Sequence, residues 1–362
     1  MKYLFLSRGA HLVWDPAAPR AAGGAELQAA LMASELVRRG HRAVLLGADT
    51  GQPDGIEWEG IKIRNGGRYE TGRVVDMLRA LPRLRAVLRE EKPDYVVVYG
   101  WTALLYLLAR WRQSIPFKLV FVCALDAEID GEFRRRNPLR GFFFHRGMQA
   151  ADVRLSITAA QAADFARLGM QCAVTRLLLR EENRGERGDK PVDLLWVARC
   201  EDVKQPGLFL DLADAFPAAR CRMICTPHDA KLFAAMKSRA TTAPNVEFVE
   251  GVAYREVQGE FDRAKIFVNT SSHEGVPNTF IHAGLGRAAI ASLGIDPDNM
   301  FGEFAAGVMA QGSFADFRTG IGDLLGSASV LDSSGAEATR FVREWHDNAR
   351  NVGTFLEVTS VA

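Results

Sequence analysis

The segment IFVNTSSHEGVPNTFIHAGLGRAAIASL, residues 266–293, contains the pattern that decides the fold. Residues 266–268 form a short apolar run, typical of a strand buried on both faces of a parallel sheet. A polar loop follows at 271–279, and residues 280–285 then have the apolar spacing of a helix. A second apolar run at 289–293 returns to strand character. A strand, a helix and a strand in this order predict a βαβ unit within a parallel sheet.

The same alternation extends in both directions from this unit. Helical patterns separate further strand-like runs at 3–6, 43–46, 95–99, 119–122, 153–157, 194–197, 222–225 and 246–249, and residues 56–63 have the pattern of a small hairpin. Residues 181–190 are polar, charged and rich in glycine, which is typical of a linker. We therefore predict an α/β protein with two Rossmann-like doubly wound domains at 1–180 and 191–335 facing across a cleft. Residues 336–362 are expected to form a C-terminal helix that packs back on the first domain.

Composition excludes several classes of protein. The chain has 362 residues, of which 48% are hydrophobic and 25% charged, as in globular proteins, and its length favours two domains. Lysine plus arginine number 45 and aspartate plus glutamate 44, a balance that argues against a dedicated nucleic-acid binder. The five scattered cysteines suggest neither a disulfide framework nor a zinc site. Residues 1–7 do not resemble a signal peptide, and no apolar run is long enough to span a bilayer, so we expect a cytoplasmic protein.

The loop at 271–279 is the first candidate site. It joins the end of a predicted strand to the start of a helix, where unpaired N–H groups and the helix dipole attract anions. Gly275 permits close approach of a ligand, and Pro277 is tolerated near a helix start. Glu274 lies where its carboxylate can accept hydrogen bonds from sugar hydroxyls. The alternative is a loop and helix cap with no ligand.

A second candidate site follows the predicted strand at 194–197. Arg199 and Lys204 lie on one strand-to-helix loop, and two cations there can hold a diphosphate. The alternative is a pair of solvated surface charges.

A third candidate is Gly23-Gly24-Ala25-Glu26, which opens a predicted helix near the start of the chain. Paired glycines permit close approach of a ligand to the helix start, and Gly24 is the expected contact. The segment is neither a Gly-x-Gly-x-x-Gly fingerprint nor a phosphate-binding loop, which argues against a simple dehydrogenase or a phosphate-loop NTPase.

Together, these three segments resemble those of retaining glycosyltransferases of GT-B fold, specifically glycosyltransferase family 4. The resemblance implies that the second domain binds a nucleotide sugar and the first an acceptor. Arg199 and Lys204 match the residues that hold the donor diphosphate. Glu274 matches the first glutamate of the family's Glu-x₇-Glu pair. Asn278 and Thr279 match backbone positions that face the diphosphate, beside Gly275.

The chain departs from this family pattern at position 282. The second glutamate of the pair, which usually binds ribose hydroxyls, is replaced by His282. A histidine can still hydrogen-bond a hydroxyl, but through a single donor or acceptor. The alternative is a helix histidine that contacts no ligand.

Two features of the first domain complete the candidate set. Asp126 follows the predicted strand at 119–122, in a region where the family often has a His or Asp near the reacting sugar; the alternative is a loop cap. Residues 133–146 combine arginines with phenylalanines, a composition that suits contact with an anionic membrane or a lipid-phosphate acceptor. The alternative is that the aromatics are core and the arginines are solvated.

The resemblance implies a metal-independent, retaining hexosyltransferase in which Glu274, Arg199, Lys204 and Asp126 act at the reacting centre. Its substrates would be a nucleotide-diphosphate sugar, with a UDP-sugar favoured, and a saccharide or lipid-linked saccharide acceptor; no cofactor is expected. Two alternatives stay open: a catalytically impaired GT-B protein that binds a sugar or a partner, and a nucleotide-sugar epimerase.

Overall fold

A computed structural model describes residues 1–13, 23–69, 74–102, 104–180 and 189–361. The chain divides into two compact units. The first unit comprises Met1–Leu178 together with Asn348–Ala362, and the second comprises Leu179–Asp347. Of the predicted linker, residues 181–188 lie outside the described residues, and 189–190 belong to the second unit.

The first unit is built on an eight-stranded sheet of order β3-β4-β2-β1-β5-β6-β7-β8. Its strands are β1 (Lys2–Leu6), β2 (Arg42–Gly47), β3 (Ile56–Trp58), β4 (Ile61–Asn65), β5 (Tyr95–Tyr99), β6 (Lys118–Cys123), β7 (Val153–Ser156) and β8 (Ala173–Val174). β3 pairs antiparallel with β4, whereas the other pairs are parallel. The central strands carry continuous apolar runs because both faces of the sheet are covered.

Helices surround this first sheet. They are α1 (Gly24–Arg38), α2 (Val74–Glu91), α3 (Leu104–Trp111), α4 (Glu132–Arg136), α5 (Pro138–Gln149), α6 (Ala159–Arg167) and the C-terminal α14 (Asn348–Val361). Gly40, with φ of +80°, follows α1 in the left-handed conformation that commonly ends helices. Thr158 begins α6 by accepting a hydrogen bond from the Gln161 amide at 3.1 Å, as an N-cap residue does.

The second unit has a six-stranded, fully parallel sheet of order β11-β10-β9-β12-β13-β14. Its strands are β9 (Val192–Arg199), β10 (Cys221–Thr226), β11 (Val246–Val249), β12 (Ala264–Asn269), β13 (Ala289–Ser292) and β14 (Gly307–Met309). Its helices are α7 (Pro206–Ala215), α8 (Ala230–Thr241), α9 (Tyr254–Asp262), α10 (Asn278–Leu285), α11 (Met300–Phe304), α12 (Phe314–Gly326) and α13 (Ala328–Trp345). Leu194, Trp196 and Val268 are buried in its core.

The predicted α/β class with two doubly wound, largely parallel sheets is confirmed. The short strands β8 and β14 have no counterpart among the predicted strands. The helical pattern at 337–358 was expected to form one helix, and that expectation is wrong. The pattern belongs to α13 in the second unit and α14 in the first, with His346 and Asp347 between them. The buried His346 ring packs edge-on against Phe341 at 4.9 Å, which stabilises the chain where the two helices separate.

Candidate active site

Two of the predicted segments meet at the carboxyl edge of the second sheet. β9 and β12 are hydrogen-bonded neighbours, so the loops that follow them start side by side. The Ser272 amide donates to the Val203 carbonyl at 2.9 Å. The Thr270 hydroxyl donates to the Lys204 carbonyl at 2.6 Å. Backbone contacts thus hold the Lys204 loop against the 271–279 loop.

A salt bridge joins the side chains of these loops. Lys204 Nζ lies 2.8 Å from Glu274 Oε2, and the two side chains are only 18% and 16% exposed. Asn269 Nδ2 donates to the other carboxylate oxygen, Oε1, at 3.1 Å. Reduced solvent screening makes such a pair stronger than one on the open surface. Glu274 is therefore oriented by a cation on one oxygen and an amide on the other.

Arg199 stands at the end of β9, with its guanidinium directed to a different carboxylate. Its Nε lies 3.0 Å from Glu201 Oε1, and His228 Nε2 approaches the same oxygen at 3.5 Å. Among the described residues, Glu201 is the only ion-pair partner of Arg199. The two predicted cations thus share one loop but end at separate acidic residues.

Helix α10 begins at Asn278, two residues before the start expected from sequence. Its N-cap residue, Pro277, makes no side-chain capping bond. Gly275 is buried just before the helix, and Asn278 and Thr279 in its first turn are partly buried. The first turn of a helix carries backbone N–H groups without intrahelical acceptors, together with the positive end of the dipole. This end of α10 suits an anionic group and lies directly after Glu274 in the chain.

His282 lies one turn further along α10. Its Nδ1 is 2.8 Å from Gln258 Oε1 on α9. The ring stacks on Phe261 with centroids 5.3 Å apart, and Tyr254 packs against it edge-on at 6.0 Å. Burial lowers the pKa of His282 to about 4, so the imidazole is neutral at physiological pH.

In the first unit, Gly24 is the first residue of α1. The preceding Gly23 amide donates to Glu26 Oε2 at 2.7 Å. A carboxylate of the protein itself therefore occupies the amide of Gly23, the residue before the expected ligand contact Gly24.

Asp126 is an exposed residue of the turn Asp126–Glu128, which follows β6. Its Oδ1 accepts a hydrogen bond from Gln161 Nε2 at 2.9 Å. Gln161 is fully buried, and its Oε1 accepts from the Ile157 amide at 3.0 Å, which fixes the orientation of its side-chain amide. Asp126 is thus held at the carboxyl edge of the first sheet, where ligands bind in this class of fold.

Comparison with known proteins is consistent with this architecture. Residues 23–179 match the glycosyl transferase 4-like domain. The fold is similar to that of sucrose-phosphate synthase from Thermosynechococcus elongatus, with a TM-score of 0.80 and 13% identity over 100% of this chain and 98% of that one. It is also similar to a UDP-forming α,α-trehalose-phosphate synthase from Burkholderia xenovorans, with a TM-score of 0.73 and 12% identity over 99% and 98% of the two chains.

A third similar structure is S. aureus TarM, solved with Fondaparinux, α-GlcNAc-glycerol and UDP. Its TM-score is 0.64 at 13% identity, covering 77% of this chain and 59% of TarM. No curated protein matches the sequence. This chain has the GT-B fold. The domain match is consistent with the family-4 resemblance, and the comparisons do not favour the binding-protein or epimerase alternatives.

Glu128 is a residue of the first unit to which the sequence assigns no role. Its Oε2 accepts from the Ala124 and Leu125 amides at 2.9 and 3.4 Å, and its Oε1 accepts from the Trp101 amide at 2.8 Å. Burial raises the pKa of Glu128 to about 7, even though these amides favour the ionised form. It connects the loop after β5 to the loop after β6. Asp126, Glu128 and Asp130 are equivalent acidic residues in the sequence, so no sequence signal distinguishes the buried one.

The sequence also does not identify Asn269 and Gln258 as site residues, since a buried amide leaves no pattern in a single sequence. Among the described residues, no cluster of three or more His, Cys, Asp or Glu side chains is arranged to hold a metal ion. No helix within the described ranges has both the length and the apolar character needed to cross a membrane.

Proposed function

We propose that this protein is a glycosyltransferase that transfers a sugar from a nucleoside-diphosphate sugar, with a UDP-sugar favoured, to a saccharide or lipid-linked saccharide. We further propose that the reaction retains anomeric configuration and needs no metal ion. The observation that carries the proposal is the Lys204–Glu274 pair at the start of α10. TarM with bound UDP and the UDP-forming synthase share the fold, which supports this class of donor.

Lys204 and Arg199 are proposed to stabilise the leaving diphosphate. The bond between the anomeric carbon and the phosphate oxygen breaks, and negative charge develops on the diphosphate. An ammonium, a guanidinium and the N-terminal amides of α10 supply positive potential there, the task that a divalent cation performs in other enzymes. The acceptor oxygen bonds to the anomeric carbon on the face that the diphosphate leaves, and the acceptor proton passes to a phosphate oxygen.

Glu274 is proposed to position the transferred sugar. Its carboxylate is already oriented by Lys204 and Asn269, and a carboxylate has further lone pairs to accept bonds from hydroxyls. A group that is held before the substrate arrives loses little conformational entropy on binding. Asp126 is proposed to act on the acceptor side, with Gly24 at the start of α1 as a donor contact.

The diphosphate assignment is tested with Lys204→Ala. The probes are UDP, GDP, ADP and TDP in a thermal-shift screen, followed by turnover with sugar donors of the responding nucleotide. Loss of a charged contact made in the transition state is expected to lower kcat by about 10²- to 10³-fold. The control is Lys231→Ala on α8, an exposed lysine in the same unit. Wild-type turnover and nucleotide binding in Lys204→Ala would contradict the assignment.

Stereochemistry and metal dependence need separate measurements. The anomeric configuration of the product is read by NMR, and inversion would overturn the proposed retention. Full activity in the presence of a chelator is expected, and loss that Mg²⁺ or Mn²⁺ restores would overturn metal independence. Incubation with donor alone tests for epimerase activity, because an epimerised nucleotide sugar would then accumulate without any acceptor.

A lipid-linked acceptor is supported by the surface of α4 and α5. The helices span residues 132–149, and they expose Leu139, Phe142 and Phe143, whereas Phe144 is buried in the core. Five arginines on the same segment are exposed: Arg134, Arg135, Arg136, Arg140 and Arg146. Exposed apolar side chains among cations suit the interface of an anionic membrane. We propose that this surface binds anionic lipid and brings the enzyme to its acceptor.

Vesicle co-sedimentation tests the membrane proposal. Binding to phosphatidylglycerol-containing vesicles is expected to exceed binding to pure phosphatidylcholine and to weaken with added salt. The double variant Leu139→Ser and Phe142→Ser should lose this binding. The control is Leu168→Ser, since Leu168 is 46% exposed in the same unit but lies outside the surface. Equal binding by the double variant and the control would overturn the proposal.

A further inference from the structure

The contact between α9 and α10 determines the hydrogen-bonding character of His282. Gln258 Nε2 donates to the His282 backbone carbonyl at 3.1 Å and to Asp262 Oδ1 at 2.8 Å. A carbonyl oxygen can only accept, so the amide nitrogen of Gln258 must face it. The amide oxygen of Gln258 therefore faces His282 Nδ1, at 2.8 Å.

This orientation leaves one tautomer of His282. The Gln258 oxygen has no proton to give, so Nδ1 must carry the hydrogen. In a neutral imidazole the other nitrogen, Nε2, then has a lone pair and acts only as an acceptor. The low pKa of the ring keeps it neutral at physiological pH.

The Nε2 atom is available to a ligand. Within the described ranges, no group hydrogen-bonds to Nε2. Nε2 is also not one of the polar atoms that are buried without a partner, so the protein does not seal it from solvent. His282 is only partly buried as a residue, while Gln258 behind it is buried. His282 lies four residues after Asn278, about 6 Å along the helix axis from the proposed diphosphate position. At this spacing, we expect a hydroxyl of a substrate bound through its diphosphate at the start of α10 to come within reach of this nitrogen.

We propose that Gln258 is a positioning residue that holds His282 in the Nδ1–H tautomer, so that Nε2 accepts a hydrogen bond from a hydroxyl of the nucleoside-diphosphate sugar. The ligand half of this inference rests on the proposed function, whereas the tautomer half does not. The amide of Gln258 makes the neutral histidine an obligate acceptor, as a carboxylate would be, but with one lone pair in place of several. Replacement of Gln258 should change donor affinity although its own side chain is buried behind the histidine.

NMR of protein labelled with ¹⁵N-histidine tests the tautomer without any assay of activity. The chain has 7 histidines, and the His282 signals are identified by their loss in His282→Asn. The wild type is expected to show a protonated Nδ1 and an unprotonated Nε2. Gln258→Leu should shift the ring toward the Nε2–H form. In the matched control Asp262→Asn, the His282 carbonyl still orients Gln258, so the tautomer should not change. A protonated Nε2 in the wild type would overturn the inference.

Calorimetry with the nucleoside diphosphate selected by the thermal-shift screen, and with its sugar donors, tests the ligand half. Gln258→Leu should weaken binding about three- to tenfold, the value of one neutral hydrogen bond, with Asp262→Asn close to the wild type. His282→Glu retains an acceptor and should bind at least as tightly as the wild type, whereas His282→Phe should bind as weakly as Gln258→Leu. Wild-type affinity for both the diphosphate and its sugar donors in Gln258→Leu or His282→Phe overturns the ligand half. Failure of every diphosphate to bind the wild type instead overturns the proposed function and leaves the NMR result standing.

Discussion

Glu91 and Glu128 are buried carboxylates in the same unit with opposite electrostatic environments. Glu91, at the end of α2, has a side chain only 3% exposed, paired with Lys2 Nζ at 2.6 Å, Lys62 Nζ at 2.8 Å and the Arg64 guanidinium. Burial alone would raise its pKa, but these three cations lower it to about 2. Glu128 receives backbone amides in place of cations, and burial raises its pKa to about 7.

The difference shows that the partner, more than burial itself, decides the charge of a carboxylate. Glu91 is held ionised by groups far apart in sequence, as expected of a group that stabilises the fold. Glu128 is close to protonation at neutral pH and lies at the carboxyl edge of the sheet, near the candidate Asp126. Perturbed carboxyl groups of that kind cluster at functional sites.

The largest expected effect is the loss of stability on replacing the charge of Glu91. Glu91→Gln leaves Lys2, Lys62 and Arg64 without their shared counter-ion, and breaking a buried pair costs about 3–5 kcal/mol. This loss of stability is measured as the change in the free energy of unfolding in urea. The matched control is Glu90→Gln, because Glu90 also pairs with Arg64 but its side chain is 53% exposed, so its loss should cost at most about 1 kcal/mol. Equal losses of unfolding free energy in Glu91→Gln and Glu90→Gln would show that the buried carboxylate stabilises the fold no more than the exposed one.

The pH dependence of stability should separate the two carboxyls. The pKa of Glu91 is below its unfolded value of 4.5, so its contribution is complete above pH 4.5 and is lost as the pH falls toward 2. The pKa of Glu128 is above 4.5, so the folded state binds its proton more tightly, and stability falls as the pH rises from 4.5 to 7. Each effect is expected to reach roughly 3 kcal/mol.

Urea unfolding of the wild type and of Glu91→Gln and Glu128→Gln across this range tests these signs. Glu128→Gln should flatten the decline between pH 4.5 and 7, and Glu91→Gln should flatten the acid limb below 4.5. A decline between pH 4.5 and 7 that persists unchanged in Glu128→Gln would show that other groups cause it.

The smallest expected effect is at Gly100, which has φ of +72° next to Glu128. An alanine Cβ there would lie 3.2 Å from Glu128 Oε1, whereas at Gly40, with φ of +80°, it would meet nothing within 4 Å. Both alanine variants should lose about 1–2 kcal/mol from the left-handed backbone. We expect Gly100→Ala to lose more than Gly40→Ala, because the neighbouring carboxyl must also move. Equal unfolding free energies of Gly100→Ala and Gly40→Ala would indicate that the Glu128 carboxyl moves aside without cost.

Much of the fold could be predicted because parallel strands buried on both faces are continuous apolar runs. The predicted strand at 95–99 matches β5 at both ends, and the one at 119–122 differs from β6 by one residue at each end. The break between α13 and α14 could not be predicted, since the apolar positions of 337–358 continue through His346 with helical spacing.

The candidate site was partly predictable for a similar reason. Residues after adjacent parallel strands meet at one edge, so the sequence could indicate that Lys204 and Glu274 share a region. Their direct salt bridge, and the pairing of Arg199 with Glu201, depend on side-chain directions that no local pattern contains.

The sequence by itself determined the order of strands and helices, the division into two α/β units and the loops that carry the polar groups, because these follow from hydrophobic periodicity and glycine or proline positions along the chain. Only the tertiary structure decided which acidic residue became buried and which tautomer His282 adopts. The reason is physical: a pKa or a tautomer depends on solvent access and on the groups within a few ångströms, and in this protein folding brings those groups together from distant parts of the chain.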